Sequence, residues 1–194
     1  QMKDSGIGWI GEIPEEWDVK KIKYLLISGK SGIKIGPFGS SLKLDSMVKE
    51  GYKVYGQENV IDQDFEVGER FIDQKKFDKM IIHEIIPDDI IVTMMGTTGL
   101  SKVVPAKIQR GIMDSHLVRV RSNNLVCNTV FLSLLINSSD YVKFQLKLES
   151  RGSIMEGLNS SILKSVRILL PKSTNEQKQI ASYLDKKTKT IDDE

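Results

Sequence analysis

The stretch Leu170-Pro171-Lys172-Ser173-Thr174-Asn175-Glu176-Gln177-Lys178-Gln179-Ile180-Ala181-Ser182-Tyr183-Leu184 decides the reading of the fold. It opens as the end of an apolar strand, stops at a proline that cannot donate a ladder hydrogen bond, and then changes to helical spacing. Thr174 and Gln177 stand at capping-box spacing, in which a threonine oxygen and a glutamine side chain satisfy the exposed amides of a first helical turn. Ile180, Leu184 and Ile191 mark one stripe on that helix, with Lys186, Lys187 and Lys189 around it. A coiled coil needs roughly three or four heptads, so the stripe reads as the start of one.

Moving back along the chain, Ile162, Val166, Ile168 and Leu170 predict a last strand region. Thr129 to Leu148 is helical in pattern, with Val130, Leu134 and Leu135 at helical spacing and Ser138, Ser139 and Asp140 offering the cap of a second helix. Ahead of these the chain reads as strands and turns. Leu117-Val118-Arg119-Val120-Arg121 alternates, Lys102-Val103-Val104 is extended, and Ile90-Ile91-Val92-Thr93-Met94-Met95 is an apolar run of buried-strand type behind the turn Pro87-Asp88-Asp89. Asp64 to Lys79 predicts a short strand and then a helix. Tyr52 to Gly56 predicts a strand that Asn59-Val60-Ile61 continues after a bend. Lys30 to Ser41 is a loop punctuated by Gly32, Gly36, Pro37 and Gly39, Trp17 to Lys20 is a strand, and residues 1–16 form an extended arm. The fold class is α+β, strands first and helices late.

A length of 194 residues suits one good-sized domain, or one domain with a helical appendage, and needs no disulfide or metal staple. Lys20, Lys21 and Lys23 interrupt the early apolar stretch, so no signal-peptide or membrane-spanning pattern is read. Cys127 stands alone in an apolar run, as a buried thiol in a reducing, cytoplasmic protein. A net charge of +2 argues against a histone-like coat for DNA, whose affinity needs many neutralised phosphates, yet leaves room for a local basic face.

Enzyme signatures fail on inspection. Gly29-Lys30-Ser31 matches the end of a phosphate-binding loop, but Tyr24 stands where its first glycine must be. Pro87-Asp88 opens a nuclease-like pattern whose acidic-x-Lys partner appears only at Glu176-Gln177-Lys178, on the terminal helix. Asp88 and Asp89 therefore read as turn residues. His83 and His116 have no cysteine pair, which speaks against zinc. No methyltransferase tetrapeptide (Asn-Pro-Pro-aromatic or Asp-Pro-Pro-aromatic) occurs, and catalytic and metal residues are expected to be absent.

What stands out is a set of glycine-bounded polar loops. Gly36-Pro37-Phe38-Gly39-Ser40-Ser41-Leu42-Lys43 offers close backbone approach, hydroxyls and a cation, chemistry that suits phosphate; its bland reading is a tight surface turn. Gln57-Glu58-Asn59 follows a glycine at a strand end, and Gln and Asn can each bond an adenine edge; the bland reading is a hydrated strand end. Gly96-Thr97-Thr98-Gly99-Leu100-Ser101-Lys102 repeats the theme, as do Arg151-Gly152-Ser153 and Gly157-Leu158-Asn159-Ser160-Ser161. His116 reads either as a base reader or as a packed surface residue. Lys34, Lys43, Lys102, Arg151 and Lys164 are expected on one positive face.

Taken with the segment Trp9-Ile10-Gly11-Glu12-Ile13-Pro14-Glu15-Glu16-Trp17, these stretches and Leu169 through Leu184 resemble, in order and combination, one target-recognition domain of the specificity subunit of Type I restriction–modification enzymes. The lead-in resembles that of a subunit's first recognition domain, and Gln1 ahead of Met2 is expected to be an addition to the natural start. The resemblance implies a twisted, mainly antiparallel β scaffold with late helices, residues 1–172 as the DNA-binding domain and residues 173–194 as the start of a spacer helix. It implies sequence-specific recognition of one half of a bipartite double-stranded target, with no catalysis by this chain. Modification subunits would bring S-adenosylmethionine and methylate adenine, and restriction subunits would bring ATP and magnesium. DNA contacts are expected from Lys34, Ser40, Ser41, Lys43, Gln57, Asn59, Thr97, Thr98, Lys102, Arg151, Ser153 and Asn159. Ile180, Leu184 and Ile191 would meet a partner spacer helix, from a second specificity half or from another copy. The chain is shorter than a full subunit, as a fragment or a natural half-subunit would be. The alternative function is an assembly adaptor that works through the C-terminal helix without DNA specificity.

Overall fold

A computed structural model describes residues 1–150 and 158–192. In chain order the elements are β1 (Met2–Asp4), β2 (Glu12–Pro14), β3 (Trp17–Lys21), β4 (Ile33–Ile35), β5 (Tyr52–Tyr55), α1 (Gln57–Ile61), β6 (Phe71–Ile72), α2 (Gln74–Lys79), β7 (Glu84–Ile85), β8 (Ile90–Thr93), β9 (Ser101–Val103), β10 (Gly111–Met113), β11 (Leu117–Val120), α3 (Thr129–Ser138), α4 (Asp140–Ser150), α5 (Ser160–Ser165), β12 (Arg167–Pro171) and α6 (Thr174–Asp192). Strands dominate before residue 129 and helices after it, as the α+β reading expects.

Two four-stranded sheets form the body. One runs β4-β11-β8-β9 and is antiparallel throughout; the other runs β6-β5-β10-β7, in which β5 and β10 are parallel. Side chains alternate across the first sheet because successive strand residues face opposite sides. Ile90, Val92, Val118 and Val120 pack with Phe131, Leu132 and Ile136 of α3 and with Val142 and Leu146 of α4. On the other face Ile91 and Leu117 meet Tyr55, Val60 and Met113 beneath the second sheet. Burial on both faces explains why Ile90–Val92 is apolar without a break.

The chain ends close on each other. Strand β3 pairs antiparallel with β12, from Trp17 opposite Pro171 to Lys21 opposite Arg167. Residues 1–16 are more ordered than an extended arm, for Met2–Asp4 and Glu12–Pro14 form a hairpin that sets the Trp9 ring against Tyr141 and Phe144.

Several local expectations are corrected. Asn59, Val60 and Ile61 lie in a short helix rather than a continued strand, because Gly56 caps it and the Asn59 side chain accepts the Gly56 amide at 2.9 Å. Ile33–Ile35 is a strand inside the predicted Lys30–Ser41 loop, held by pairing with β11. Ile162 belongs to α5, not to the last strand. The cap of α6 is Ser173, one residue earlier than Thr174: its Oγ accepts the Glu176 amide at 3.4 Å and its carbonyl the Gln177 amide at 3.1 Å. Gln177 is therefore released from capping. It is fully buried, accepts the Asn128 amide at 2.7 Å, and donates to the carbonyls of Val126 and Pro171 at 3.1 and 2.8 Å. This clamp, with buried Ala181, seats the start of α6 in the body. Cys127 is buried as expected, and burial pushes its thiol up to about 12.

Candidate functional site

Strand register gathers the loops. Strand β4 leaves the sheet beside the start of β11, with Ile35 opposite Val118, and β8 leaves there too, with Thr93 opposite Leu117. In the second sheet β5 and β10 end side by side, with Tyr55 opposite Met113. The turns after residues 35, 55, 93 and 113 thus emerge at one end of the two sheets.

Polar contacts lock these turns to one another. Gly36 donates its amide to the Leu117 carbonyl at 2.9 Å. A β-carbon at residue 36 would lie 1.7 Å from the Asp114 carbonyl oxygen, so only glycine allows this approach. Met94 donates its amide to the His116 carbonyl at 2.9 Å and accepts the Leu158 amide at 3.0 Å. Gln57 accepts the Met95 amide at 3.2 Å through Oε1. Beneath them Arg70 bridges Glu58 at 2.8 Å and Asp114 at 3.0 Å, while Asp114 accepts the His116 amide at 2.9 Å. Burial works against the Arg70 charge, and the Asp114 and Glu58 carboxylates outweigh it, so its pKa is raised.

The expected contact residues divide on this frame. Ser40, Ser41, Thr97 and Thr98 are exposed in two of the converging turns, and Gln57 opens α1 between them. Gln57 spends one carbonyl lone pair on Met95, a bond that does not engage its amide donors. His116 is 51% exposed along its side chain at the same end. Lys43 is exposed just beyond the Gly39–Ser41 turn.

Asn59 is a correction. It is 1% exposed, and its Nδ2 donates to the carbonyls of Asp64 and Val67 at 3.0 and 2.8 Å while Oδ1 holds Gly56. Both amide hydrogens are consumed, so it braces the turn instead of meeting a base edge. Asn159 caps α5, its Oδ1 accepting the amides of Ser161 and Ile162 at 2.9 and 3.0 Å. Arg151 and Ser153 lie outside the described residues.

Lys34 and Lys102 share one side of the first sheet and stand on its two edge strands. Both belong to one cross-strand row, Lys34–Arg119–Ile91–Lys102. That row spans the sheet, leaving them about 14 Å apart by strand spacing. Lys34 stands near His83, whose pKa is lowered by burial and then by Lys34. Lys102 donates to Gln63 at 3.1 Å and lines a groove of about 260 Å³ with Val130 and Leu134 of α3. Lys164 is exposed on α5.

Along α6, Ile180 packs against the first core, whereas Leu184 is 43% exposed, so the expected stripe is split between the body and the outer surface. The side chain of Ile191 lies outside the described set. Among the described residues no group of three or more His, Cys, Asp or Glu side chains is placed to hold a metal, and no helix is long and apolar enough to cross a membrane.

Two features escaped the sequence reading. Arg70 gave no local signal, because its partners lie 12 and 44 residues away. Phe38 did carry one, an aromatic residue between glycines in a polar turn, and it is 86% exposed.

Residues 14–194 match the model of the Type I restriction modification DNA specificity domain. A protein of Methanocaldococcus jannaschii, assigned as the type I restriction enzyme MjaX specificity subunit, is 26% identical over 187 residues, covering 95% of this chain and 38% of that protein. The crystal structure of the HsdS subunit from Thermoanaerobacter tengcongensis superposes with a TM-score of 0.64 at 17% identity, over 98% of this chain and 41% of that one. A structure described in work on complex assembly and conformational transition of the type I R-M system gives a TM-score of 0.66 at 16% identity, over 98% of this chain and 42% of that one. The chain thus spans about two fifths of the length of these relatives.

Proposed function

The chain belongs to the family of Type I restriction modification DNA specificity domains, and from that premise we propose that it recognises one half of a bipartite double-stranded DNA target. The observation that carries this reading is the convergence of the turns after residues 35, 55, 93 and 113, with Ser40, Gln57, Thr97, Thr98 and His116 at one end of a braced double sheet. Hydroxyls and an ammonium group in the Gly36–Lys43 turn suit phosphates, which position a protein on the duplex. Gln57 suits a base edge, where sequence is read.

In this reading the chain catalyses nothing itself. It holds a half-site before modification subunits, which bring S-adenosylmethionine and methylate adenine, and before restriction subunits, which use ATP and magnesium. Residues 1–172 form the recognition body and residues 173–194 begin the spacer helix, whose first turns Gln177 and Ala181 seat against the body. Exposed Tyr183 and Leu184 then face a second spacer helix, from another specificity half or another copy, in a cytoplasmic complex.

The test is selection of duplexes from a random-sequence pool by the purified chain at near-physiological salt, repeated with modification subunits present. Enrichment of a motif of a few base pairs in either arm supports half-site recognition. Failure in both arms overturns it and favours an assembly adaptor acting through α6, an activity that removing residues 174–194 would abolish.

A further inference from the structure

We infer that Phe38 is a wedge that enters the duplex between adjacent base pairs, so that the domain reads its DNA partly by unstacking and bending one base step. The inference rests on the DNA-recognition reading above and adds to it a mode of contact.

An aromatic ring 86% exposed to water is an unusual use of a phenylalanine, and the backbone beneath it is held firmly. Pro37 is buried immediately before it, with its φ restricted by the ring. Gly36 is fastened to Leu117 at 2.9 Å and pressed against the Asp114 carbonyl. The Phe38 carbonyl accepts the Ser41 amide at 2.8 Å, Gly39 accepts the Leu42 amide at 3.1 Å, and Leu42 turns inward onto the cluster of Val54, Phe77 and Ile112. The ring is therefore carried on a braced turn, and little ordering remains to be done when it binds.

Its chain neighbours favour a DNA occupant over a protein one. A protein-binding hot spot lies among other apolar side chains that exclude water from it. Here the exposed chain neighbours are Gly39, Ser40, Ser41 and Lys43. A ring flanked along the chain by hydroxyls and an ammonium matches a base step, whose faces are aromatic and whose backbone carries phosphate. The turn also sits at the reading end, since a β-carbon on Gly39 would lie 3.8 Å from the Ser115 Oγ, next to His116.

The test uses the purified chain, its F38A and F38W variants, and the duplexes retained by the wild type from the random pool. Phe38 is not part of any buried cluster, so F38A should melt with the wild type, and F38W keeps a flat ring in place. Wild type should bend its selected duplex by about 20° or more, seen as position-dependent electrophoretic mobility. F38A should bind that duplex about tenfold more weakly and leave it nearly straight. F38W should restore both. Unchanged affinity and bend in F38A would overturn the wedge and assign the ring to a protein partner; weaker binding with the bend intact would overturn it in favour of a surface contact. Absence of any enriched duplex with the wild type, both alone and with modification subunits present, is failure of the underlying reading, visible before a variant is made, and the wedge falls with it.

Discussion

The indole Nε1 of Trp17 donates to the Glu176 carboxylate at 2.9 Å, joining residues 159 apart in the chain. The bond reinforces the β3–β12 pairing beside it, in which Trp17 lies opposite Pro171. A residue at the end of the lead-in thus orients the first turn of the long helix, the element expected to set the spacing of a second half-site.

Replacing Trp17 by phenylalanine keeps most of the ring and removes the N–H. A hydrogen bond to a charged group contributes about 1.5–3 kcal/mol, and this one is only partly buried, so W17F should cost about 1.5 kcal/mol in urea unfolding. Glu176→Gln should cost less, because its amide oxygen still accepts.

A larger loss is expected at Gln177, which is fully buried and satisfies three backbone groups. Leucine fills similar space but orphans the Asn128 amide and the Val126 and Pro171 carbonyls. Q177L should destabilise by about 3 kcal/mol. A midpoint shift no larger than that of an exposed α6 substitution would mean that water replaces the side chain.

Gln57 and Asn59, two residues apart, should separate cleanly. N59A removes the brace on Gly56, Asp64 and Val67 and should cost about 2–3 kcal/mol of stability, while the folded fraction keeps its DNA preference. Q57A should leave stability within about 0.5 kcal/mol and relax preference at one base pair by about 1–3 kcal/mol. Equal weakening of all duplexes by Q57A would falsify base reading at that position.

His83 should give stability a pH dependence. Burial, then repulsion from Lys34, lowers its pKa below 6.5, so the unfolded chain takes up its proton first as pH falls. Below 6.5 the unfolded state holds more protons, and stability declines until the folded pKa is passed. Denaturation midpoints at pH 7.5 and lower values should show this slope in the wild type and a shallower one in H83Q.

How far the chain could be read without its fold depends on whether a signal is local. The run Ile90–Thr93, the alternation at Leu117–Val120 and the helical spacing from Thr129 all became the expected elements, because a continuous apolar run, an alternation and a helical spacing are each written within one segment. Strands β4, β7 and β10 carry two or three residues each, too few for a period to show, and exist by pairing with neighbours. Capping moved from Thr174 to Ser173 because adjacent hydroxyl residues offer nearly equivalent caps until packing chooses one.

The candidate site divides in the same way. The amino-acid order by itself determined the α+β class, the glycine-bounded polar turns, the family resemblance carried by the two ends, and the burial of Cys127. Tertiary structure alone decided which turns meet, that Asn59 faces inward while Gln57 stays at the rim, that Arg70 ties Glu58 to Asp114, and that Lys34 and Lys102 stand at opposite sheet edges. Residue type and spacing report a segment's chemistry and its tendency to be buried. The direction in which a side chain points, and the distant atom it meets, follow from strand register and packing between segments far apart in the chain.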